Sequence, residues 1–233
     1  MPSLNSATGV FVGTQEAVRV YLGDTMAWEA GEPADPQIVW TEDWESWPLG
    51  IPSVSAPISQ VDGSPSIVAG KSLQTGPSGN GCRFSVSGMS HWSLEFTVVM
   101  AGTQTTNHFI ASLRDGSGTY VADLNVRNGE KQLWNRLNYG ADAIGKSTWT
   151  YVGTGPSTLR LIYEWWDDEY VKCHMFYGAN LAGATPDQTL VYDKTMSGGI
   201  LVGKRIGAVR LGNDGSDGIT QTFDDLVLRD LTL

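Results

Sequence analysis

Polar and apolar residues alternate along most of this chain, and almost nowhere do apolar residues recur at the three-to-four spacing of an amphipathic helix. Leu94-Glu95-Phe96-Thr97-Val98-Val99-Met100 reads as a strand. So do Phe109–Leu113, Tyr120–Val126 and Leu159–Tyr163. Turn clusters such as Arg114-Asp115-Gly116-Ser117-Gly118 and Asn128-Gly129 punctuate them. Strands every ~8–12 residues between such turns predict an all-β sandwich or barrel.

The first 37 residues break this rhythm. Val18–Leu22 and Thr25–Trp28 predict two short strands around Gly23-Asp24, a pair suited to a type II′ hairpin turn. Glu29–Pro36 follows, acidic, with two prolines and no apolar pattern, and reads as a linker. A lone two-stranded hairpin is marginal in water. Residues 1–37 are therefore expected to be a docking arm, with Val18, Val20 and Leu22 on one face joined across the ladder by Met26 and Trp28. Residues 38–233 are expected to be a single sandwich domain.

Composition narrows the class. In 233 residues there are 28 glycines and nine tryptophans but only 17% charged side chains, a balance that suits many strands joined by tight turns. The net charge of −10 argues against nucleic acid or an anionic membrane as partner, since both need clustered cations. No apolar stretch approaches the ~18 residues of a membrane span. Met1–Asn5 has neither the basic nor the apolar segment of a secretory signal. Cys82 and Cys173 could pair once or be two buried thiols, and the second is favoured because nothing else requires an oxidising compartment.

Catalytic patterns are missing. His91, His108 and His174 are scattered, without metal-ligand spacing, and read as ordinary surface or half-buried residues. No Gly-x-Ser-x-Gly elbow or phosphate loop occurs, so no catalytic residue is assigned and a binding role is expected. Exposed aromatics are the usual platform for sugars. Trp134, Asn135, Arg136 and Tyr139 combine two aromatics with polar donors, with core packing as the equal alternative. Trp165 and Trp166 are adjacent and must face opposite ways on a strand, so one of them, Trp166, joins the candidate ligand surface. Asp214 and Asp217, in the Gly-rich Leu211–Gly218 turn, could hold calcium through oxygen ligands, the alternative being a plain Asx-Gly turn. Asp224 and Asp225 beside Glu42 and Glu45 are a weaker candidate.

The segments "EDWES" at 42–46 and "FDDLVL" at 223–228 resemble the framing strands of concanavalin A-like, laminin-G-type jelly rolls, and the strands between them are similar to the same superfamily. The resemblance covers about residues 38–233. It implies a jelly-roll sandwich and makes a calcium ion plausible. Laminarinase-type glycosidases share that fold and carry Glu, Asp and Glu on alternating strand positions. In Glu164-Trp165-Trp166-Asp167-Asp168-Glu169, neither face places two glutamates around an aspartate, and the run reads as a hairpin instead. "AVRVYLGDTMAW" at 17–28 is similar to a segment near the start of minor tail proteins of long-tailed actinobacterial phages. That resemblance implies a structural component of the virion tail tip, released by lysis. Its partners would be other tail proteins and a host-envelope glycan, and its assembly a homo-oligomer, a trimer by the usual symmetry of tail tips. A free lectin-like module or a carbohydrate-active enzyme on the same fold are the alternatives.

Overall fold

The structure is a computed structural model of the full chain and describes residues 11–12, 15–16, 19–22, 25–29, 36–76, 79–137, 145–153, 155–167, 169–193, 204–213 and 218–231. It divides into two units, Met1–Gln37 and Ile38–Thr232. In the first, β1 (Phe11–Val12) pairs with β2 (Gln15–Glu16), and β3 (Arg19–Leu22) with β4 (Thr25–Glu29). The short β1–β2 ladder has no counterpart in the sequence reading. In β3–β4 the register sets Val20 opposite Trp28, Tyr21 opposite Met26 and Leu22 opposite Thr25, with a shift between Val20 and Tyr21. Val18 lies outside the described residues.

The second unit is an all-β jelly-roll sandwich of two antiparallel sheets. Its strands are β5 (Gln37–Glu42), β6 (Ile58–Asp62), β7 (Ser66–Val68), β8 (Ser72–Thr75), β9 (Gly81–Ser85) and β10 (His91–Thr103). They continue with β11 (His108–Asp115), β12 (Tyr120–Val126), β13 (Gln132–Leu137), β14 (Gly145–Thr150) and β15 (Ser157–Trp166). The last are β16 (Tyr170–Tyr177), β17 (Gln188–Asp193), β18 (Ile206–Leu211) and β19 (Gly218–Asp230). One sheet runs β17-β16-β15-β10-β19-β8-β7, with β5 also paired to β19, so the opening and closing strands of the domain meet. The facing sheet runs β14-β13-β12-β11-β18-β9-β6. Among the described residues the one helical segment is a 3-10 turn, Gly178–Asn180.

Alternation fills the space between the sheets. On β10, Trp92, Leu94, Phe96, Val98 and Met100 point inward and are fully buried; on β15, Leu159, Leu161, Tyr163 and Trp165 do the same. β19 breaks the alternation once. Ile219, Gln221 and Phe223 are buried at odd positions, Leu226 and Leu228 at even ones. The ladder pairs Glu95 with Val227 but Thr97 with Asp224, so a β-bulge inserts one residue and flips the faces. Asp225 takes the left-handed conformation there, φ 53°, which Asp tolerates better than most residues. Cys82 and Cys173 are free, buried thiols on opposite sheets.

Polar side chains bolt the sheets together. Asn135 on β13 donates from Nδ2 to the carbonyls of Val171 (3.1 Å) and Leu190 (3.2 Å) on the other sheet. Gln221 on β19 accepts from Thr75 Oγ1 at 3.1 Å and donates to the Phe109 carbonyl at 2.8 Å. Buried polar groups must be paired in this way to be tolerated.

Candidate functional site

The ligand surface expected around Trp134 does not form from the residues described there. Trp134 sits mid-strand, between Asn125 and Lys146 in register, and is 8% exposed. The Arg127 guanidinium lies 4.5 Å from its ring centroid and the Lys146 ammonium 5.6 Å, so cations already hold its π-system. Asn135 is fully buried in the sheet-to-sheet bridge. Arg136 is committed to Asp123, its Nε 2.7 and 2.9 Å from the two carboxylate oxygens. The reason is that Gln132–Leu137 is an interior strand, so its polar side chains serve the core and the cross-strand pairs instead of an open surface. Tyr139, Asp214 and Asp217 lie outside the described residues.

Trp166 lies in a different setting. β15–β16 is the expected hairpin, and alternation sends Trp165 into the core and Trp166 to the outer face. There Trp166 stacks on His91, centroids 4.4 Å apart, and meets Tyr170 at 5.4 Å. These residues are opposed in register on β10, β15 and β16, so they form an aromatic row across three strands. Lys172 Nζ extends the row, 3.7 Å over Tyr170.

Beside this row, four segments converge at one end of the sandwich. They are the β9–β10 connection, the β11–β12 turn, the start of β18 and Asp167 at the β15–β16 turn. Asp167 N donates to the Ser90 carbonyl at 2.9 Å, which ties the groove end of the hairpin to the residue preceding His91. The β11–β12 turn is built by Asp115, whose Oδ1 accepts from Ser117 N (2.9 Å), Ser117 Oγ (2.6 Å) and Thr119 N (2.8 Å). The Ser117 hydroxyl holds the Asp115 carboxyl below its usual range. Gly118, at φ +84°, supplies the left-handed step that a side chain would resist.

Two cavities open here. One, of about 360 Å³, is lined by Ser59, Gln60, Arg83, Arg114 and Ser117 among others; the second, of about 290 Å³, by Met89, Ser90, Asp167 and Arg205. They share Ser87, Gly116 and Gly207 as walls. The shared saddle is low at Gly207, where a Cβ would lie 3.0 Å from Gly116 Cα. Arg83 is steadied by Asp62 at 2.9 Å, and Asp62 also accepts from Arg210 Nε at 2.9 Å. Burial alone would raise the Asp62 carboxyl, but the two arginines outweigh it and hold the group below its usual range. Arg205 pairs with Asp167, which also accepts from Trp165 Nε1 at 2.5 Å.

Glu95 lies between Arg160 (2.8 Å) and Arg229 (2.9 Å) on the outer face of the sheet. Burial favours its protonated form, yet the two guanidiniums prevail and hold the carboxyl low, a poor state for a general acid. Glu164 is hydrogen-bonded to His174 Nε2 at 3.1 Å. Among the described residues no group of three His, Cys, Asp or Glu is placed to hold a metal ion. At the weaker acidic candidate, Glu42 accepts from Trp44 N and Trp47 Nε1, each at 2.7 Å. Asp224 is pushed up by burial and then by the charges of Asp225, Asp43 and Glu45.

The groove residues escaped the sequence reading because they come from separate stretches of the chain, β6 and β9 as well as the converging turns, and share no spacing. The Arg114–Gly118 run was legible only as a turn.

No family model matches the chain, and no curated protein does. Solved structures do. A botulinum neurotoxin type C structure, of a protein that depends on two ganglioside molecules to enter cells, aligns at 11% identity and TM-score 0.54, over 83% of this chain and 47% of that one. The chain thus spans about half the length of that relative. The CBM2 module of the evolved Dit of Lactobacillus casei BL23 phage J-1 aligns at 13% identity and TM-score 0.50, over 83% of this chain and 95% of the module. Trypanosoma rangeli sialidase aligns at 12% identity and TM-score 0.51, over 98% of this chain and 34% of the enzyme. At these identities the likeness is one of fold.

Proposed function

We propose that this chain is a carbohydrate-binding structural component of a phage tail tip, whose sandwich contacts host-envelope glycans through the groove and the aromatic row beside it. The carrying observation is the junction at Ser90 and Asp167, two groove-lining residues that are hydrogen-bonded to each other and are the chain neighbours of His91 and the half-buried Trp166. Polar side chains from several turns can satisfy sugar hydroxyls, and an aromatic ring can cover the apolar C–H face of a pyranose. In this reading the role is binding without turnover, because neither face of the Glu164–Glu169 run sets two glutamates around an aspartate. The phage Dit module, alignable over nearly its whole length, supports the tail setting, as does the similarity of residues 17–28 to minor tail proteins.

In this reading Met1–Gln37 docks the protein onto another tail protein or further copies of itself, three in all. The short β3–β4 ladder leaves strand edges to which a partner sheet can add. The test is retention of the full chain on immobilised envelope polysaccharide of the host cell, read by affinity electrophoresis. Retardation by polysaccharide and none by an equal mass of albumin is the expected result. Migration unaffected by every envelope polysaccharide fraction contradicts it.

A further inference from the structure

The charge of the groove runs against that of the protein. Acidic residues outnumber basic ones by 25 to 15 overall. The walls of the two cavities reverse this, with Arg83, Arg114 and Arg205 against Asp115 and Asp167. Both carboxylates are already engaged, and among the arginines Arg83 is paired with Asp62 and Arg205 with Asp167 through Nη1. Asp115 spends Oδ1 on three donors of its own turn, and Asp167 accepts from Trp165 and Arg205. Lys204, electrostatically coupled to Asp115, adds a further cation beside the groove. The Arg205 side chain is 69% exposed.

We propose that the groove selects sugars bearing a carboxylate, with Arg205 as the principal partner of that group and the Gly116–Gly207 saddle as the passage for the chain of sugars. This rests on the glycan-binding reading above and names the ligand class within it. A planar guanidinium matches a carboxylate in two parallel hydrogen bonds, a geometry a neutral sugar cannot use. In a chain of net charge −10, an anionic polymer would otherwise be repelled, so a local cationic seat is what makes such a ligand admissible. The saddle is built to let a polymer through. A Cβ on Gly116 meets nothing within 4 Å, so that position faces open space although no fold constraint excludes a larger residue.

The experiment is isothermal titration of the full chain with galacturonic acid oligomers and with galactose oligomers of the same length, at low and high salt. The charged oligomer is expected to bind at least tenfold more tightly at low salt, with the preference shrinking as salt rises. Arg205→Glu should abolish the preference. Gly116→Phe should block both oligomers, and its circular dichroism and melting curve should match the parent, since its side chain enters open space. Equal affinity for the two oligomers overturns the carboxylate proposal while the glycan-binding reading stands. Failure of both oligomers and of every envelope polysaccharide fraction overturns the two together. An unaltered preference in a folded Arg205→Glu protein also overturns the proposal.

Discussion

Trp166 stacks on His91 across the β10–β15 ladder, ring centroids 4.4 Å apart and planes 19° from parallel, while its neighbour Trp165 is wholly buried. One step along a strand therefore separates a core residue from one on the outer face of the sheet. The pairing also fixes the orientation of the Trp166 ring, because His91 and Tyr170 flank it from two other strands.

Trp166 and Trp134 should respond in opposite ways to truncation. Trp166→Ala removes partial ring contacts and should cost about 0.5–1.5 kcal/mol of stability, yet abolish polysaccharide retention. Trp134→Ala empties a buried site under two cations and should cost ~3–5 kcal/mol. Chemical denaturation of both variants, with binding measured on the folded fraction, separates the roles. A severely destabilised Trp166→Ala protein would return that ring to the core.

Asn135 should be intolerant of change for reasons unrelated to ligand. Its amide joins the two sheets through Val171 and Leu190, and Tyr163 Oη donates to its Oδ1 at 3.4 Å. Asn135→Ala should cost about 1–3 kcal/mol through groups left unpaired. Equilibrium unfolding in urea measures it, and a shift in midpoint without loss of binding in the folded protein is expected.

Asp224 provides a pH test. Its carboxyl is pushed above the ordinary 3.8 by burial and by neighbouring acids. A raised folded-state value means that the protonated group favours folding below 3.8, and that this contribution is lost as pH rises through the folded value. Asp224→Asn should therefore raise the melting temperature at pH 7, with the gain vanishing near pH 3. A variant that melts lower at pH 7 would place Asp224 in a favourable interaction instead.

The two cysteines should be silent in the native protein. Burial pushes the Cys82 thiol up to about 12 and Cys173 higher still. A thiol-disulfide reagent at pH 8 should react with neither until denaturant is added, and then with both. Fast native reaction would mean that one thiol is accessible.

Much of the fold was legible because alternation is a local signal. Leu94–Met100, Phe109–Leu113, Tyr120–Val126 and Leu159–Tyr163 all lie within strands of the structure. The adjacent Asp224 and Asp225 concealed a bulge, since a parity change is visible only once Phe223 and Leu226 are known to be buried together. The site was less legible. Trp134 and Asn135 have the composition of a sugar platform, but burial is decided by where β13 falls in its sheet, which depends on distant pairings. The arginines of the groove come from β9, β11 and the residue before β18, strands far apart in the chain that only the sheet order makes neighbours.

The central claim is that glycan meets this protein at the groove and at Trp166. Amide and indole chemical-shift mapping of the isotope-labelled full chain, titrated with host-envelope oligosaccharide, tests it most directly. The expected result is perturbation concentrated at Gly116, Gly118, Gly207 and the Trp166 indole, with the Trp134 indole unmoved. Perturbation centred on Trp134, or spread over the chain with the four groove signals unchanged, would contradict it.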